Sequence, residues 1–72
     1  MLWLGNFLRK CEPDIPVILH LDGEKIACKA GNAANFVKED VLKNTFVGST
    51  HVNTSADDWI LEIWPEDEHE IG

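Results

Sequence analysis

The 72-residue chain has no tyrosine, a single methionine, two cysteines and only six lysines and arginines. Each scarcity excludes something. Two cysteines, Cys11 and Cys28, cannot build a disulfide framework, and their separation is not a CxxC motif. Six bases against thirteen acids leave no basic stripe for a phosphate backbone, which argues against direct nucleic-acid binding. No apolar run approaches the roughly 18 residues of a membrane span. The basic pair Arg9-Lys10 follows the apolar MLWLGNF instead of preceding it, the reverse of a secretory signal. The expected setting is therefore the reducing cytoplasm, away from membranes. In that setting the sequon Asn53-Thr54-Ser55 is a chance match.

What is present belongs to a small globular domain: 44% hydrophobic residues, 26% charged and a net charge of −7. A domain of this length buries about 60% of its unfolded surface, so its core is thin. That argues against a deep catalytic cleft and against Rossmann, barrel or two-domain architectures. The charge is unevenly placed. Residues 1–36 balance four bases against four acids, whereas residues 37–72 set Lys38 and Lys43 against nine acids. From Asp57 onward no lysine or arginine occurs.

Leu4, Phe7, Leu8 and Cys11 fall at i, i+3, i+4 and i+7, one face of a short helix flanked by Trp3. Pro13 and Pro16 stop it. Residues 15–21 read as a strand, Asp22-Gly23 as a two-residue type I′ turn and residues 24–29 as the returning strand. That register sets Leu21 against Glu24, Leu19 against Ile26 and Val17 against Cys28 on the core side. Ile18 then faces Ala27, and His20 faces Lys25, on the other side. Residues 31–35 break the strand and offer Asn32 and Asn35 as helix N-caps. A polar helix is expected over 38–44, with Val37, Val41 and Leu42 as its apolar edge. A third strand follows over 46–52, weakened by Gly48, then a polar loop over 53–58. The fourth strand, 59–64, is closed by Pro65. The order α-ββ-α-ββ predicts one α+β domain over residues 1–64 with an antiparallel four-stranded sheet, followed by an acidic tail over 65–72.

The pattern of Pro13, Val17-Ile18-Leu19, Asp22-Gly23, Gly31-x-Ala33, Val41-Leu42 and Phe46-Val47 resembles a group of small uncharacterised proteins encoded by phages, prophages and mobile elements of Gram-positive bacteria. The similarity covers about two thirds of the chain and rests on hydrophobic spacing and turns. The tryptophan-rich last strand and the acidic tail depart from that group's pattern. The resemblance implies no functional residue.

The chemistry-bearing residues each have a plainer role. Cys11, Cys28, His20 and His51 lack zinc-ligand spacing, and Cys28 reads as a small core residue, so no metal or cofactor is expected. Glu66-Asp67-Glu68-His69-Glu70 lacks the glycine-turned loop of a calcium hand. Ser49, Ser55 and His51 with Asp57 or Asp58 have no nucleophile elbow beside them. Asp57 and Asp58 sit in an expected loop where both ionise, and a general acid requires an apolar pocket. The chain reads as non-enzymatic.

Tryptophan offers more. By alternation Trp59, Leu61 and Ile63 face the core, which leaves Ile60, Glu62 and Trp64 on the opposite face. That second face needs cover from the N-terminal helix, a second copy or a partner. Glu62, Trp64, Glu66, Glu68 and Glu70 share parity, so a strand continuing past Pro65 would repeat carboxylates every ~6.6 Å. Such a row could imitate a phosphate backbone and occupy a basic groove on another protein, a strategy common among phage-encoded inhibitors, as the resemblance implies. The expected function is an acidic interaction module with a basic, nucleic-acid-handling protein as partner. The alternative is a homo-oligomer, such as a homodimer. The expected contact residues are Asp57, Asp58, Ile60, Glu62, Trp64, Glu66, Asp67, Glu68 and Glu70.

Overall fold

A computed structural model of the chain describes residues 2–54 and 59–67. Helix α1 spans Leu4–Lys10, with Leu4 and Leu8 buried and Phe7 and Cys11 packed against the same core. Its last turn carries Arg9 and Lys10, favourably placed against the negative end of the helix dipole. Strands β1 (Pro16–Leu21) and β2 (Glu24–Lys29) form the expected hairpin. Asp22 and Gly23 hold φ of 52° and 80°, the two positive angles a type I′ turn requires. All six cross-strand pairs, from Pro16 with Lys29 to Leu21 with Glu24, match the register read from the sequence.

Beyond the hairpin the chain departs from expectation in several places. Ala30–Asn35 forms a short 3-10 helix instead of a break. Neither asparagine is an N-cap: that position belongs to Lys29 in the 3-10 helix and to Lys38 in helix α2, Glu39–Asn44. Asn32 still satisfies a backbone donor, accepting the Lys29 N–H at 2.9 Å. Strand β3 runs over Thr45–Asn53, one residue longer at each end than expected, and Gly48 is inserted into it as a bulge between the Val47 and Ser49 pairings.

Strand β4 covers Ile60–Asp67 and passes straight through Pro65, which does not end it. The reason lies in the ladder. Pro65 pairs with Val47, whose N–H points outward to the Leu2 carbonyl at 2.9 Å. Proline at this register position is not called on to donate to β3. On its other side the β1 pairing has already ended, at Leu19 with Ile63.

The sheet order is β2-β1-β4-β3, and it is mixed. β1 runs antiparallel to β2 and β4 antiparallel to β3, but β1 and β4 are parallel, with Val17 opposite Leu61 and Leu19 opposite Ile63. A wholly antiparallel sheet is therefore incorrect. The two most apolar strands take the centre, where both edges are paired, and the more polar β2 and β3 take the margins. Both helices and the 3-10 helix lie over one face. Leu4, Leu8, Ala30, Ala33 and Val37 close on Val17, Leu19 and Ile63 to form a single buried cluster. The result is a two-layer α+β domain. No helix among the described residues is long and apolar enough to cross a membrane.

Candidate functional site: the uncovered sheet face

With the helices on one side, the opposite face of the sheet carries the side chains of alternate parity. β1 contributes Ile18 and His20, β2 contributes Lys25 and Ala27, β3 contributes Ser49 and His51, and β4 contributes Ile60, Glu62, Trp64 and Glu66. Because β4 lies beside β1, His20 and Glu62 meet. The His20 imidazole donates from Nε2 to Glu62 Oε1 at 3.0 Å. The indole of Trp64 stacks on the same imidazole, centroids 4.4 Å apart and planes within 6°. This three-residue cluster shields its own polar atoms, leaving the His20 and Glu62 side chains 17% and 15% exposed. Trp64 itself remains 37% exposed, and the half-buried Ile18 and Ile60 lie on the same face further along β1 and β4, with Ile18 opposite Glu62.

The expected placement of Ile60, Glu62 and Trp64 on a single non-core face agrees with these pairings. Helix α1 does not cover that face; its apolar side is committed to the other. The expectation that Trp59 fills the core is incorrect. Trp59 precedes the first residue of β4 and is 46% exposed, so strand alternation does not govern it. It borders a shallow depression with Ile15, Pro16 and Lys29. Glu66 is exposed on the same face as Trp64, although Glu62 is already engaged by His20. The β4 backbone at Asp67 is still in the strand. Asp57, Asp58, Glu68 and Glu70 lie outside the described residues, as does Ser55.

A second concavity of about 790 Å³ lies in the helical layer, between α1, α2 and the 3-10 helix. Leu8, Cys11, Ala33 and Leu42 line it, with Arg9 and Lys43 at the rim. Both rim cations have local partners, Asn6 for Arg9 and Glu39 for Lys43. Burial pushes the Cys11 and Cys28 thiols up from their ordinary value, which keeps them protonated and weakly nucleophilic at neutral pH. Among the described residues no group of three His, Cys, Asp or Glu side chains is placed to hold a metal ion.

Sequence reasoning missed the His20–Glu62–Trp64 cluster because His20 lies 42 residues before Glu62. It also missed the contact between the chain start and β3. There Trp3 bridges to Phe46 and stacks on its ring, centroids 4.1 Å apart. No family model, curated protein or solved structure matches the chain.

Proposed function

We propose that this chain is a non-catalytic acidic interaction module that binds a basic protein, in the manner of an accessory protein or inhibitor from a phage or mobile element. The observation that carries this reading is the one-sided packing. All helical cover lies on one face, while the other presents Trp64, Ile18 and Ile60 together with Glu66. An exposed tryptophan next to a carboxylate, on a face that also carries aliphatic side chains, has the make-up of a binding anchor with a polar rim. The net charge of −7, all of it in residues 37–72, selects a partner of opposite sign.

Titration with a lysine- and arginine-rich polypeptide at rising salt tests this directly. Affinity should drop by about tenfold on going from low to physiological ionic strength, because exposed charge pairs are screened. Trp64→Ala should weaken binding further at every salt concentration. Binding insensitive to both salt and Trp64 would overturn the proposal.

Self-association through the same face is the second reading, favoured by the apolar side chains Ile18, Ile60 and Trp64 that this face carries. Its salt dependence has the opposite sign. Two chains of charge −7 repel, so screening should strengthen a dimer, and light scattering across a salt series separates the two readings.

A further inference from the structure

The sheet has two margins, and they are protected differently. The outer strand β2 carries Lys25 and Lys29, both exposed, charges of the kind that discourage another strand from pairing. β3 carries none: its nine residues, TFVGSTHVN, include no lysine, arginine, acid or proline. The chain itself already adds backbone to part of this margin. Leu2 accepts the Val47 N–H at 2.9 Å, and Trp3 pairs antiparallel with Phe46. Past Val47, among the described residues, no strand lies beside β3.

Alternation identifies which groups are on offer. The Val47 N–H points away from β4, and the bulge at Gly48 advances the pattern by one residue. The next outward-pointing N–H and C=O groups therefore belong to Thr50 and Val52, both exposed residues. At the Gly48 end of this stretch stands a carboxylate. A methyl group at Gly48 would fall 2.6 Å from the Glu66 Cγ and 3.1 Å from its Cδ, so the Glu66 side chain lies across the Gly48 backbone. Among the described residues nothing pairs with it.

We propose that the outer edge of β3, from residue 48 to 52, is a strand-addition site for an extended segment carrying lysine or arginine. The added backbone bonds Thr50 and Val52, and a basic side chain reaches Glu66 over Gly48. The proposal rests on the basic-partner reading above and specifies where and how that partner docks.

The probe is a synthetic peptide alternating lysine with valine and threonine, long enough to span residues 48–52. Amide hydrogen exchange on the whole chain should show the Thr50 and Val52 amides gaining about tenfold protection or more when the peptide binds. Thr50→Pro removes an outward donor without touching the β3–β4 ladder, and it should cut peptide affinity about tenfold. Val52→Lys places a guarding charge on the same edge and should also weaken binding; being a surface change, it keeps the test open should the proline variant not fold. Glu66→Gln should reduce the salt dependence while leaving the protected amides the same. Peptide binding that leaves Thr50 and Val52 unprotected overturns the edge site but not the basic-partner reading. Equal binding of a glutamate-for-lysine peptide overturns the charge match and that reading with it. Absence of binding at low salt overturns both, and protection of the same amides by dimerisation alone assigns the edge to a second copy and overturns the proposal.

Discussion

Leu19 has no exposed surface, pairs with Ile26 of β2 and Ile63 of β4, and belongs to the buried cluster under the helical layer. Leu19→Ala should cost about 2–5 kcal/mol, from lost burial plus the cavity left behind. Urea unfolding should show this as a lower midpoint with an unchanged slope. Gly23 poses a different constraint. No atom lies within 4 Å of a Cβ placed on it, so space is not the obstacle; its φ of 80° is. Gly23→Val should therefore cost on the order of 1–2 kcal/mol through backbone strain alone. Thermal melting that shows Gly23→Val as harmful as Leu19→Ala would contradict this ranking.

Gly48 reverses the case made for Gly23. Its φ is unremarkable, but an added methyl would meet the Trp64 carbonyl oxygen at 2.6 Å. Gly48→Ala must push β3 away from β4 or remove the bulge, at a cost of about 1–3 kcal/mol. Thermal melting should register that loss, and near-ultraviolet dichroism should report a disturbed Trp64. The bulge illustrates how far each element could be read in advance. The β1–β2 hairpin was fully legible, since turn chemistry and the alternation of Val17, Leu19 and Leu21 depend on neighbours in sequence. The place of β4 was not. Ile60, Leu61 and Ile63 mark a strand, but nothing local says that it inserts beside β1 instead of lying at the margin of its own hairpin. Parity alone put Ile60, Glu62 and Trp64 on one face, whereas the meeting of Glu62 with His20 followed only from the parallel β1–β4 pairing. Trp59 was misplaced for the opposite reason: alternation was extended one residue before the strand begins.

For the molecule as a whole, the net charge of −7 works against compaction. The melting temperature should therefore rise by a few degrees as salt is raised from near zero to physiological strength, as measured by calorimetry. A melting temperature that falls over that range would mean that favourable ion pairs outweigh the repulsion. The strand order carries a further consequence, in the time domain. Among the described residues, the last strand occupies an interior position, and it alone joins β3 to the β1–β2 hairpin. The hairpin closes quickly from local contacts, yet Val17 and Leu19 gain their β4 neighbours only when residues 61–63 arrive from more than forty positions away. Joining the two halves of the sheet is thus a non-local event that carries a loop-closure cost. Ile63→Val should slow refolding in stopped-flow experiments more than it speeds unfolding, if β4 docking is the barrier. Until that strand docks, the two halves of the sheet are separate objects.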